Sequence, residues 1–234
     1  MKKALIILHQ KRSICGAVGI KLKERGYILD IRRPSIGDGL PENLNHHDIV
    51  VIFGGPMSVN DDQNFIKYEI EWLKIVIESG KPFLGICLGA QMLVKHLGGE
   101  VVKNKEEFAE VGFYKIFPTE KGGKIFENQQ IFYQWHDEGF DLPNNSVLLA
   151  TGDRFINQAF KYNNCYAVQF HPEVNFSLHL RWLFFVLLTK PKRLMLKGSQ
   201  NVFYQLLLRI RYNKAISNWL DNFIDNYLLK NTSI

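Results

Sequence analysis

Cys87 lies in Gly85-Ile86-Cys87-Leu88-Gly89, the cysteine form of a Gly-x-nucleophile-x-Gly elbow. Such an elbow is a sharp strand-to-helix turn that lifts one side chain above the edge of a sheet. Glycines flank the nucleophile because a Cβ two residues to either side would collide in so tight a turn. A helix starting beside the sulfur offers unpaired N–H groups and the positive end of its dipole. Both favour thiolate over thiol, and thiolate is the reactive species. Taken alone, the same five residues also fit a tight turn with a small buried cysteine. A second pattern is His171-Pro172-Glu173. At a strand end, held by proline, its His and Glu project side by side, so that one can meet a thiol while the other orients the imidazole. Surface pairs of this kind are common, so the pattern is weak by itself. The third is Gly54-Gly55-Pro56. After a buried strand it lets backbone approach a ligand and aim an N–H at a negative oxygen, although an ordinary turn has the same composition.

The elements around these residues place them at one sheet edge. Lys3 to Leu8, Tyr27 to Ile31, Ile49 to Phe53 and Phe83 to Ile86 are short apolar runs of strand length. Ile14 to Arg25, Asn64 to Ser79 and Gln91 to Leu97 have helical spacing or composition and stop at glycine or serine-glycine signals. This alternation implies a mostly parallel sheet with helices on both faces, an α/β fold in which ligands bind beyond the carboxyl ends of the strands. From residue 100 the runs become short and β-rich: Glu100 to Lys103, Val111 to Pro118, Gln130 to Trp135, Val147 to Thr151, Phe155 to Tyr162 and Cys165 to Phe170. These read as antiparallel strands appended to the parallel sheet. Helices follow over Phe176 to Leu188 and over an interrupted or bent stretch, Ser199 to Leu229. The expectation is one domain over residues 1–234, with a core of about residues 1–189 and a C-terminal helical extension of about residues 190–234.

Composition narrows the class. The 234 residues are 46% hydrophobic and 22% charged, as expected of a globular chain that can bury a core. The three cysteines, at 15, 87 and 165, form no Cys-x-x-Cys pair and no zinc-spaced cluster, so neither a disulfide framework nor a metal is expected. Cys15 and Cys165 read as core or loop residues, His46-His47 as solvated, and His96 and His179 as surface or packing residues on helices. No run has membrane-spanning length, and the charged start breaks too early for a signal peptide, so a cytoplasmic location is expected. The net charge of +6 has a local source. No acidic residue stands between Glu173 and Asp221, whereas Arg181, Lys190, Lys192, Arg193, Lys197, Arg209, Arg211 and Lys214 do. This reads first as a solvated basic face. A docking surface is the alternative, and no nucleic-acid motif accompanies it.

Three stretches, in this order and spacing, resemble the class I glutamine amidotransferases with a Cys-His-Glu triad. They are Gly54-Gly55-Pro56-Met57-Ser58-Val59, Gly85-Ile86-Cys87-Leu88-Gly89-Ala90-Gln91 and Gln169-Phe170-His171-Pro172-Glu173. The resemblance extends over nearly the whole chain. Gly112-Phe113-Tyr114, Trp135-His136-Asp137, Asn157-Gln158-Ala159-Phe160 and Lys197-Gly198-Ser199-Gln200 are similar to stand-alone members related to the glutaminase domain of GMP synthetase. The family fold is flavodoxin-like. The resemblance implies that Cys87 attacks the glutamine side-chain amide, with His171 as its base and acid and Glu173 orienting the imidazole. It implies an oxyanion hole from the N–H groups of Gly55 and Leu88, and a substrate contact at Gln91. His136 is expected to support the site. No cofactor is implied. Ala90 stands where several branches carry His. No P-loop or ATP-pyrophosphatase signature accompanies the motifs, so an ammonia-accepting synthetase would be a separate protein. Two rivals use other logic: a γ-glutamyl peptide hydrolase or transferase with the same triad, and a catalytically silent binding or regulatory scaffold.

Overall fold

The computed structural model describes residues 1–230. The chain runs β1 (Lys3–Ile7), α1 (Gly16–Glu24), β2 (Ile28–Arg32), β3 (Ile49–Ile52), α2 (Asn64–Ser79), β4 (Phe83–Ile86) and α3 (Leu88–His96). There follow β5 (Val101–Lys103), β6 (Glu110–Lys115), β7 (Phe117–Pro118), β8 (Ile131–His136), β9 (Glu138–Phe140), β10 (Val147–Thr151), β11 (Asn157–Tyr162) and β12 (Cys165–Val168). Two helices close the fold, α4 (Phe176–Thr189) and α5 (Val202–Phe223), and a π-helical turn, Ile224–Leu228, continues α5.

Eight strands form one sheet in the order β2-β1-β3-β4-β12-β11-β10-β7. The first five are mutually parallel, and the last three are joined antiparallel. The mostly parallel α/β sheet expected from the alternation is therefore present. One detail of the second half differs: β12 is antiparallel to β11 yet parallel to β4. A hairpin through Asn163, which adopts φ +50°, turns the chain back. That reversal lays the wholly buried Cys165–Val168 run against the free side of β4. Strands β5 and β9, and β6 and β8, form two separate ladders away from the main sheet.

The side chains of β1 alternate between two cores. Ala4, Ile6 and Leu8 face one with residues of α1 and α5, and Leu5 and Ile7 face the other with α2 and α3. Helix α5 is integral to the first core. Trp219 stacks on Phe126 and Phe223, and its indole N–H donates to the Ile125 carbonyl at 2.8 Å. Arg25, just after α1, adds ion pairs to Asp221 and Asp225.

The two neighbouring histidines before β3 differ. His46 is exposed, but His47 is buried, contrary to the solvated reading. Its Nε2 lies 3.0 Å from Asp30. Arg32 first, then His47 and Lys3, hold the Asp30 carboxyl well below the usual carboxylate range against the opposing effect of burial. The partners lie on β1 and β2, so the local sequence around residue 47 gives no sign of them. His179 is a packing residue, wedged against Phe113 and Tyr133, and burial followed by Arg209 pushes its imidazole down to about 4.

Candidate active site

Strand β4 ends at Ile86 and α3 begins at Leu88, leaving Cys87 alone in the turn. Its backbone adopts φ +50° and ψ −106°, a conformation non-glycine residues seldom hold. The fold fixes it from both sides: the Cys87 N–H donates to the Val168 carbonyl at 2.8 Å, and the Gln91 N–H donates to the Cys87 carbonyl at 3.0 Å. The glycine requirement is met by contacts. A Cβ on Gly85 would lie 2.7 Å from the Gly89 carbonyl oxygen, and one on Gly89 would lie 2.2 Å from the Ile52 carbonyl oxygen. Gly89 thus lets the first turn of α3 rest on the end of β3.

His171 follows β12. Its N–H donates to the Tyr133 carbonyl at 2.8 Å, and its Nδ1 lies 2.8 Å from Glu173 Oε1. The ring meets Trp182 edge-on at 5.1 Å. Gly54 brings the third motif to the same point. A Cβ there would be 2.9 Å from His171 Cε1 and 3.4 Å from Cys87 Cβ. Gly55 abuts Leu88, whose side chain would be 2.9 Å from a Cβ at Gly55. The N–H of Leu88, first residue of α3, has no carbonyl partner within its helix.

Electrostatics favour a charged imidazole. Burial would lower its proton affinity, but the interactions with Glu173 and then Cys87 outweigh this, and His171 is pushed up to about 10. Gln169 Nε2 also donates toward Cys87 Sγ at 3.5 Å.

The other two sequence-derived residues stand further back. Gln91 is buried, and its Nε2 donates to Gln169 Oε1 at 3.2 Å, so it reaches the sulfur through Gln169. His136 sits in a buried network that makes no direct bond to Cys87. Its Nδ1 is 2.9 Å from the Glu138 carbonyl, and its Nε2 is 3.1 Å from Glu110 Oε2. Among the described residues no group of three or more His, Cys, Asp or Glu could hold a metal ion, and no helix is long and apolar enough to cross a membrane.

Three residues that local spacing does not reveal complete the surroundings. His9 and Glu69, 60 positions apart, pair beneath the Gly54–Gly55 loop. Arg209 of α5 is buried over the rings of Phe113 and Tyr133, and its three guanidinium nitrogens have no hydrogen-bond partner among the described residues. A groove of about 650 Å³ opens from Gly55, His171 and Glu173 and runs along α4 past Arg181, Phe185 and Arg193.

A covered α/β sheet that presents a cysteine on a strand-to-helix elbow, beside a His–Glu pair, is an arrangement that can support acyl transfer through a cysteine. The family model described as class-I glutamine amidotransferase matches residues 13–189, and the chain belongs to that family. A glutamine amidotransferase-like protein of Salmonella typhimurium, YfeJ, is 28% identical over 178 residues, covering 71% of this chain and 74% of that one. A glutamine-hydrolysing GMP synthase subunit of Sulfurisphaera tokodaii is 33% identical over 138 residues, covering 57% of this chain and 71% of that one. The crystal structure of a glutamine amidotransferase from Thermotoga maritima superposes with a TM-score of 0.86 at 27% identity, covering 97% of this chain and 98% of that one.

Proposed function

We propose that the chain hydrolyses the side-chain amide of glutamine to glutamate and ammonia. The supporting observation is that Gly54 lies against both Cys87 and His171, which interact electrostatically, with Glu173 Oε1 2.8 Å from the imidazole Nδ1. The Cys87 thiolate attacks the amide carbon. The carbonyl electrons move to oxygen, and the resulting oxyanion is met by the N–H groups of Gly55 and Leu88. As the C–N bond breaks, the His171 imidazolium gives its proton to the departing ammonia. Water, deprotonated by the now neutral His171, then cleaves the γ-glutamyl thioester and frees Cys87. Gln91 holds Gln169 against the sulfur, and His136 braces the strand ends behind the pocket.

The ammonia passes to a separate synthetase-type protein, as the likeness to one subunit of GMP synthase suggests. Its docking face is the outer side of α4 and α5. Phe184 and Leu188 are exposed one turn apart there, as are Phe203 and Leu207, within the acid-free stretch that supplies Lys190, Lys192 and Arg193. Such a face suits an apolar patch with an acidic rim. A chain with all three of these basic residues changed to Glu is expected to keep its own turnover within about two-fold while losing co-purification with the acceptor. Undiminished capture would remove this face from the proposal. Three free cysteines suit a reducing cytoplasmic compartment.

The groove gives specific support to a second reading. It starts at His171, the group that protonates the leaving amine, and it has room for an amine larger than ammonia. A γ-glutamyl peptide would place its leaving residue there. Glutamine and γ-glutamyl dipeptides, compared at equal concentration by glutamate release, separate the two. The first reading expects kcat/KM for glutamine to be at least about ten-fold higher, or about 1.4 kcal/mol at the transition state. The reverse ratio assigns the enzyme to γ-glutamyl peptides. Silence on both substrates, with no labelling of Cys87, leaves the binding scaffold.

A further inference from the structure

His9, just beyond β1, has a fully buried side chain, as has Glu69 on α2. Its Nε2 lies 3.0 Å from Glu69 Oε2, and its Nδ1 lies 3.2 Å from the carbonyl oxygen of Gly54. A carbonyl only accepts. An unprotonated Nδ1 at 3.2 Å would set two lone pairs against each other, so Nδ1 carries the hydrogen and donates to Gly54. Glu69 makes this possible with either placement of the second proton. A carboxylate accepts from Nε2–H, and a carboxyl donates to a bare Nε2.

The Gly54 carbonyl and the Gly55 N–H are opposite edges of one planar peptide unit, and the described residues contain no cis peptide bond. Holding the oxygen on the His9 side therefore turns the Gly55 N–H to the other side. Neither glycine has a Cβ to resist a flip of this unit, so resistance has to come from a partner. The side chain of His9 also lies close against Gly55, since a Cβ on Gly55 would be 2.9 Å from His9 Cβ. We propose that His9, held by Glu69, is a positioning residue that locks the Gly54–Gly55 peptide with its N–H facing the oxyanion formed at Cys87. This rests on the glutaminase reading above. It adds two residues, 60 positions apart, that act through the loop and touch no substrate.

The test separates oxyanion stabilisation from thiolate reactivity. Chloroacetamide alkylates Cys87 by forming C–S as C–Cl breaks, with chloride leaving and no charge built on the carbonyl oxygen. Glutaric semialdehyde adds to the same thiolate, and its C=O electrons become an oxyanion where the substrate's would lie. The chain His9→Leu with Glu69→Leu leaves no charge buried alone and keeps the volume apolar. It is expected to lose about a hundred-fold in kcat for glutamine and in aldehyde affinity, as for the loss of one oxyanion donor, with KM and alkylation rate within about two-fold. His9→Asn combined with Glu69→Leu sets an amide nitrogen near the former Nδ1 without orphaning a buried carboxylate, and is expected to recover most of that loss. Unchanged kcat and aldehyde affinity overturn the proposal. So does a parallel fall in alkylation and kcat that His9→Asn with Glu69→Leu does not relieve. A parent chain with no glutamine turnover, no aldehyde binding and no labelling of Cys87 defeats the glutaminase reading and this one together. A parent chain that passes all three, with His9 indifferent, defeats this one alone.

Discussion

Cys87→Ala is expected to abolish release of glutamate and ammonia, with a loss of at least about 10⁴-fold in kcat, because no other group can carry the acyl intermediate. Cys15→Ser and Cys165→Ala are expected to retain turnover. Exposure cannot separate the three, since Cys15 is 8% exposed, Cys87 6% and Cys165 2%. Their surroundings do. Burial pushes the Cys15 thiol up despite the opposing charges of Arg33 and Lys23, and pushes the Cys165 thiol up to about 12. Both are therefore protonated at neutral pH and poor nucleophiles. Cys87 stands at the start of α3, and it is one of the groups that raise His171, which ties that imidazole to the sulfur. Chloroacetamide treatment at neutral pH followed by peptide mass mapping should place the label on Cys87 first. Glutamine turnover by the Cys87→Ala chain, or first labelling at Cys15, would sink the assignment.

What could be read in the sequence was what local chemistry determines. Helix α2 and strand β10 fall at the bounds that periodicity sets, and the elbow glycines meet the contacts their spacing implies. Strand β9 was not legible, since Glu138-Gly139-Phe140 has no alternation to show. The direction of β12 relative to β4 depends on which strand edge was left free, a property of the assembled sheet. The same limit explains His47. Its carboxylate partner sits 17 residues earlier, on another strand. At the site, the motifs were visible because each is a contiguous string, while the groups behind them were not. His9 reaches Gly54 across the sheet from β1, and Glu69 reaches His9 from α2. Arg209 shows this most sharply. It lies beyond residues 13–189, the span the family model matches, in a helix that reads as a basic extension. Packing brings its guanidinium over Tyr133, whose carbonyl accepts the N–H of His171. A helix that looked peripheral by charge is joined to the candidate site through one aromatic side chain.

Glu173→Gln should separate the two tasks given to the His–Glu pair. The amide can keep one hydrogen bond to the ring, but it removes the charge that does most to hold the imidazolium. Turnover is expected to fall by about 10³- to 10⁴-fold with little change in KM, as when a triad carboxylate is neutralised. The parent chain carries a matching signature in its stability. Burial alone would lower His171, yet Glu173 and Cys87 raise it from the usual 6.5 to about 10. Between those values His171 holds a proton in the folded chain that it releases in the unfolded chain. The stabilisation is therefore complete below pH 6.5 and is lost as pH rises through about 10. Urea midpoints measured at several pH values should show Glu173→Gln trailing the parent by most at the acidic end of this window. The gap should narrow as the parent's imidazolium gives up its proton. A gap that is constant across the window would mean that Glu173 acts on His171 by packing and hydrogen bonding without its charge. Turnover of Glu173→Gln within about ten-fold of the parent would remove Glu173 from the triad.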